Sequence, residues 1–225
     1  VLPQLSKHVH QKKKKKILLI QNKALELSMF LSIPASVALV VGSEQIISAL
    51  FGYGSFTEVS VLNASKALYY FGLGLPAFAL IKVFSTFFFA NNDTKTPFYI
   101  SLVSVLLNIL ISVYFFKDIG FIIIPIATTL SSWFNSLTLF IFLKNNDLFS
   151  FNEIFFKKFI KIVFVSIMMG FFFEYLILFF ENQLNYAFFF KSVYLILCVF
   201  LTIIFYLTLS YFIKAFNYDD IKINY

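Results

Sequence analysis

The sequence predicts an all-α, polytopic membrane helix bundle of about six transmembrane helices. Three observations predict it. Hydrophobic residues make up 60% of the 225-residue chain and charged residues 13%, with a mean hydropathy of +0.87. A soluble domain carries about a quarter charged residues. Apolar runs of about 20 residues recur, the length at which a helix crosses a bilayer with every backbone group satisfied internally. Lysines gather in alternate connections between those runs.

The chain opens Val1-Leu2-Pro3-Gln4-Leu5-Ser6 without an initiating Met, and the expectation is a piece cut just after or within an earlier span. Residues 1–23 are polar and Lys-rich, with no cleavable signal pattern. Spans are predicted over 24–43, 67–90, 98–116, 121–143, 159–180 and 187–213. The longest connection, 44–66, contains an apolar stretch at 46–51. That stretch is too short to cross, and the expectation is an interfacial or bundle-packed segment. The chain divides into the Lys-rich segment 1–23, a four-helix part 24–143, and two further helices in 144–225.

Six spans put both ends on one side. That side holds fourteen lysines: 7, 12–16, 23, 95, 144, 157, 158, 161, 214 and 222. The other side holds Lys66, Lys117 and Lys191, and Lys82 lies inside a span. The positive-inside rule then places both ends in the cytoplasm. The run Lys12 to Lys16 attracts phosphate, but no aromatic platform or binding module accompanies it. It reads as a topology determinant beside anionic headgroups, not as a nucleic-acid site. The 34 Phe and the absence of Arg read as base-composition bias, so Phe richness carries no functional weight. Cys198, the single cysteine, reads as a small buried apolar residue.

Pro34, Pro76 and Pro125 fall inside predicted spans, where each removes a helix hydrogen bond. Gly72 and Gly74 accompany Pro76. Such breaks are hinge candidates, because freed carbonyls line cavities in transporters. Lys82 lies eight residues before the cytoplasmic loop, about 12 Å of helix. A buried ammonium there snorkels to the headgroups or faces a cavity and meets a substrate phosphate or carboxylate, with Glu26 as its partner. Asn108 and Thr128, with Thr129 and Asn135, offer oxygens for a small cation beside carbonyls loosened by Pro125. The commoner use of such groups is inter-helix hydrogen bonding. Glu174 reads as interfacial. His8 and His10 have no third ligand, so no metal site is assigned. No nucleophile–base set, Gly-rich phosphate cradle or nucleotide motif is present, which argues for a transporter over an enzyme.

The loop 91–97 reads Asn-Asn-Asp-Thr-Lys-Thr-Pro. Thr96 and Pro97 suit an N-cap and first helical position, and Asp93 suits the backbone donors of the turn. Asp93 is also a gating candidate, and Pro97 a hinge candidate.

The order of motifs resembles the MurJ/MviN lipid II flippases of the multidrug/oligosaccharidyl-lipid/polysaccharide exporter superfamily. The matching pieces are residues 1–6, Ile33-Pro34-Ala35, Leu50-Phe51-Gly52-Tyr53-Gly54-Ser55-Phe56-Thr57, Gly72-Leu73-Gly74-Leu75-Pro76-Ala77, Lys82-Val83, residues 88–97 and Asn108. Beyond about Leu143 the likeness is only two hydrophobic spans. The family often has Arg where this chain has Asn91, which argues against the loop as a substrate clamp. Ser112 stands where an acid would strengthen a cation site.

The resemblance implies a fourteen-helix protein of two lobes working by alternating access. This chain would supply the tail of helix eight and helices nine to fourteen, and its partner would be an N-terminal lobe holding the cationic headgroup cavity. It implies translocation of an undecaprenyl-linked peptidoglycan precursor across the bacterial inner membrane. The substrate would be a polyprenyl-diphosphate-linked glycopeptide lipid, with a tail groove in the last two helices. No cofactor is implied, and Na+ or H+ coupling or the membrane potential would supply energy. The alternatives are an exporter of another polyprenyl-linked glycan, of O-antigen type, and a non-transporting membrane scaffold.

Overall fold

The computed structural model describes residues 2–10 and 14–215. Lys12, Lys13 and Lys222, and the side chains of His8 and His10, lie outside the described residues. The helices are α1 (Leu2–His10), α2 (Lys14–Val41), α3 (Ser43–Phe51), α4 (Glu58–Ala90), α5 (Lys95–Ile119), α6 (Ile123–Asn145), α7 (Glu153–Phe179), α8 (Glu181–Leu184) and α9 (Lys191–Phe212). A 3-10 turn, Gly120–Ile122, joins α5 to α6.

Each predicted apolar run corresponds to one long helix. Five stretches are long and apolar enough to cross a membrane, and one of them, Lys95–Asn145, has 51 residues. A straight helix of that length would reach about 75 Å, far beyond a bilayer. Gly120 resolves the mismatch. Its φ of +74° is open to glycine and strained for other residues, and it turns α5 back onto α6. The stretch is therefore two helices packed together.

The helices are longer than the apolar runs because polar turns extend them. α2 begins at Lys14, ten residues before the predicted span, so lysines 14–16 and 23 are its first turns and not a preceding coil. α1 is also helical and packs on α4 and α2, with Leu5 fully buried. The stretch 46–51 belongs to α3, which packs against α4 and α9.

α4 is the centre of the bundle and packs against α2, α3 and α6; α7 lies on α2, and α9 on α7. One buried cluster joins Leu25, Phe84, Phe87, Phe88, Leu139 and Phe149 at the lysine-rich end, and another joins Phe173, Leu176, Leu195 and Cys198 at the opposite end. Outward faces are apolar: Leu110 of α5, Ile160 of α7 and Ile196 of α9 are each about two-thirds exposed. Lipid is the solvent for such surfaces.

The ends of α4, α6 and α9 share one closure. Asn92, Asp147 and Lys214 adopt positive φ. The next N–H in each case reaches back to a carbonyl of the last turn: Asp93 to Phe88, Leu148 to Leu143, Ala215 to Ser210. This left-handed cap takes up carbonyls that a helix end leaves open.

Candidate functional site

The proline positions define the polar heart of the bundle. Pro34 has no N–H to offer the carbonyl of Phe30, four residues earlier. The hydroxyl of Tyr206 in α9 donates to that carbonyl at 2.8 Å. Pro76 likewise offers nothing to Gly72. The hydroxyl of Ser36 in α2 donates to the Gly72 carbonyl at 2.7 Å. Two more carbonyls beside the break receive donors from α6: Thr129 Oγ1 reaches Tyr70 at 2.6 Å, and Trp133 Nε1 reaches Leu73 at 3.1 Å. Both broken turns are thus occupied by side chains of neighbouring helices. The bonds sit at helix–helix contacts, so these carbonyls do not line an open cavity.

Glycines allow that closeness. A Cβ on Gly74 would come within 2.9 Å of Thr129 Oγ1, and one on Gly72 within 3.0 Å of Leu39 Cβ. In α7, a Cβ on Gly170 would lie 2.6 Å from Val37 Cγ1. The Gly72-Leu73-Gly74-Leu75-Pro76 stretch runs through one continuous helix, α4.

Pro125 is a correction. It is the third residue of α6, within the first turn, where its missing N–H costs no helix bond. It loosens no carbonyl, so the expected support for a cation site disappears. Asn108 Nδ2 instead donates to Thr128 Oγ1 at 3.0 Å and to Ser131 Oγ at 3.4 Å, while Thr128 Oγ1 donates to the Ile124 carbonyl at 2.8 Å. The group works as an α5–α6 hydrogen-bonded tie. Asn135 makes a second, longer tie to Ser101 at 3.4 Å.

Lys82 is exposed on α4 and does not pair with Glu26, contrary to expectation. Glu26 is buried and bonds Lys158 Nζ at 2.5 Å. The pair crosses from α2 to α7, and a buried carboxylate requires such a partner. It extends a clamp on the α6–α7 connection. Gln21 Nε2 donates to the Leu148 carbonyl at 3.1 Å, and Asn22 Nδ2 donates to the Ser150 carbonyl at 3.0 Å. Asn22 Oδ1 accepts from the Asn152 N–H at 3.2 Å. Glu174 is exposed near the end of α7.

In the 91–97 loop Asp93 takes the capping role expected of Thr96. Its Oδ1 accepts the N–H groups of Lys95 (3.1 Å) and Thr96 (3.0 Å). Burial pushes its carboxyl up, but the bonds from Thr96 and Lys95 and the charge of Lys95 outweigh that and hold it below the usual carboxylate range. α5 starts at Lys95, so Pro97 lies buried inside its first turn rather than opening it. Asn91 Nδ2 donates to the Phe87 carbonyl at 2.8 Å and so helps to close α4.

Two features escape the sequence-based reading. Lys191 is only 1% exposed. Its ammonium donates to the carbonyls of Gly52 and Tyr186, both at 2.6 Å, and lies over the Tyr53 and Tyr186 rings at 4.4 and 4.5 Å. Carbonyls and ring faces compensate a charge removed from water. The cage fastens α9 to the turn after α3. Gly52 permits the approach, since a Cβ there would lie 3.1 Å from Nζ and 2.6 Å from the Ser48 carbonyl. The only sequence signal was a lysine at the head of an apolar run. The second feature is an apolar crevice of about 370 Å³ lined by Met29, Ile33, Pro76, Phe84, Trp133 and Phe159, among others. α2, α4, α6 and α7 supply its walls, and α9, expected to share a tail groove with α7, contributes no residue to it.

Comparison with known proteins settles what this bundle is. The family model "Lipid II flippase MurJ" matches residues 1–216. The chain belongs to the MurJ family. That match extends the likeness past Leu143 into α7 and α9. A probable lipid II flippase MurJ of Buchnera aphidicola subsp. Schizaphis graminum is 28% identical over 210 residues, 91% of this chain and 40% of the relative. One of Rhizobium meliloti is 36% identical over 140 residues, 62% of this chain and 26% of the relative. The solved structure of a lipid II flippase MurJ in an inward closed conformation matches with a TM-score of 0.73 at 28% identity. It is covered to 41%, against 93% of this chain. The chain thus spans between a quarter and two-fifths of the length of these MurJ proteins, and the MurJ family is one of transporters.

Proposed function

We propose that this chain forms the C-terminal lobe of a lipid II flippase. That lobe works with an N-terminal lobe to carry undecaprenyl-linked peptidoglycan precursor from the inner to the outer leaflet of the cytoplasmic membrane. The observation that carries the reading is the MurJ match over residues 1–216. The site geometry fits it. Bolted proline breaks make the helices rigid bodies, as alternating access requires. The crevice between α2, α4, α6 and α7 offers an isoprenoid tail an apolar wall. The lysine asymmetry supports an orientation with both described ends cytoplasmic. Lys82, exposed on the central helix, is the residue we assign to the substrate's phosphates or carboxylates. No nucleotide motif is present, so the cycle draws on membrane potential or a Na+ or H+ gradient, and only Na+ dependence would be sought at the oxygens of the Asn108–Thr128 tie, which do not titrate.

Rescue of growth tests the proposal. The full-length protein should sustain a bacterial host whose own lipid II flippase is depleted, and Lys82→Ala at equal abundance should fail to. No rescue by the parent protein would overturn the function. Rescue by the alanine variant would overturn the role of Lys82 alone.

A further inference from the structure

The buried Lys191 has no task in the transport reading, yet it joins two turns that are far apart in the sequence. Residues 52–57 lead from α3 into α4, whose N-cap is Thr57. Residues 185–190 lead from α8 into α9. Both turns lie at the end of the bundle opposite the lysine-rich end. Beside the two bonds from Lys191, the Tyr186 hydroxyl donates to the Phe56 carbonyl at 2.8 Å, and the Ser192 hydroxyl donates to the Ala49 carbonyl at 2.9 Å. Its proton being placed there, Ser192 Oγ accepts from the Tyr53 hydroxyl at 2.5 Å.

Hydroxyl bonds of this kind join turns in many proteins. An ammonium is harder to account for. An apolar side chain would fill the same space without the cost of taking a charge out of water. Among the described residues no carboxylate pairs with Lys191. What Nζ meets instead is negative partial charge, from the Gly52 and Tyr186 carbonyls and from the faces of two tyrosine rings. That lining selects a cation with N–H donors, because a ring face attracts any cation but a buried carbonyl also needs a hydrogen. A primary ammonium has donors for both carbonyls.

We infer that the two turns form a site for a primary ammonium, that Lys191 fills it as the chain's own ligand, and that the filled site keeps the adjoining ends of α4 and α9 together throughout transport. Residues 52–57 then hold the start of α4 in place, because Gly52 and Phe56, the residue before its N-cap, are both fastened. The part that concerns transport rests on the flippase reading. It requires that any opening at this end of the bundle form elsewhere than between α4 and α9.

Two experiments on the full-length protein test it, both in a Cys198→Ser background. The first needs no transport and is done in nanodiscs. A nitroxide on Ser55→Cys, an exposed position of the turn after α3, should give an immobilised spectrum in the parent. Lys191→Met keeps most of the stem and removes the donors, and it should give a mobile spectrum. So should Lys191→Ala. Ethylammonium should return the alanine variant to the immobilised spectrum with saturation, while tetramethylammonium, which has no N–H, should not. A methionine variant as immobile as the parent would overturn the inference, since packing alone would then suffice. It would also fall if ethylammonium has no effect on the alanine variant, or no more than tetramethylammonium. A second nitroxide, on Ile154→Cys in the first turn of α7, separates local release from general loosening; should it loosen as well, the return by ethylammonium decides. The second experiment closes the contact covalently. Ala49→Cys/Ser192→Cys pairs positions already joined by a hydrogen bond, and the oxidised form should translocate lipid II as fast as the reduced form. Loss of transport on oxidation would overturn the lock. No transport by the parent would refute the flippase reading instead, and the nitroxide spectra would still decide the ammonium site.

Discussion

Tyr206 and Ser36 carry out at single-residue scale what a helix normally does for itself. Each supplies the donor that a proline withdrew. Removing either hydroxyl leaves a carbonyl short of a bond in a place water does not reach. Tyr206→Phe and Ser36→Ala should each lower unfolding free energy by about 1 kcal/mol, the scale of an inter-helix hydrogen bond in a membrane. Steric trapping in bicelles would measure it. Pro34→Ala restores an N–H beneath Phe30, so it should offset much of the Tyr206→Phe loss while leaving Ser36→Ala unaffected. Equal losses with and without Pro34 would contradict the assignment. The sequence displayed these residues without their roles. Ser36 and Tyr206 look like any small or aromatic residue of an apolar run, and their acceptors lie 36 and 176 residues away. The pairing of Glu26 with Lys158 escaped for the same reason, being fixed by packing across 132 residues.

At the scale of elements, the start of α5 depends on Asp93. Its folded carboxyl titrates below the usual value, close to 3.9 when unfolded. The cap therefore contributes in full above the unfolded value, and the contribution is lost as pH falls through the folded one. The hydrogen-exchange protection factor of the Thr96 amide should drop in acid for the parent chain. In Asp93→Ala it should be low at every pH. A parent protection factor that does not change with pH would contradict the cap. The apolar runs gave the helices away because their length is imposed by the bilayer. Helix starts were harder, since Lys14 and Glu58 prolong α2 and α4 beyond the apolar core. Pro125 was misread because the apolar run starts at Phe121 but its first residues belong to the 3-10 turn, so α6 starts at Ile123 and the proline falls in its first turn.

At the scale of the whole molecule, the two ends of the bundle differ in chemistry. One carries most of the lysines, and the other carries the Lys191 cage, with Glu44, Glu58 and Glu181 in the first turns of α3, α4 and α8. If the lysine-rich end is cytoplasmic, impermeant maleimide added to intact cells should label a cysteine replacing Phe189, in the connection before α9. It should reach one replacing Asp147, in the connection after α6, only after permeabilisation. Both substitutions belong in a Cys198→Ser background. The reverse pattern would invert the proposed orientation.

The bond between Tyr206 and Phe30 also bears on how the protein is made. Ribosomes add about 5–20 residues per second, so the 176 residues between the two take on the order of ten seconds or more to synthesise. Through that interval α2 is already in the bilayer, and its upper turn cannot have its final hydrogen bond. Assembly of this bundle therefore closes in reverse: α9 completes α2, a helix made before it. A nascent chain stalled before α9 would lack the Tyr206 donor to the Phe30 carbonyl, so α2 would be less stable in it than in the finished bundle.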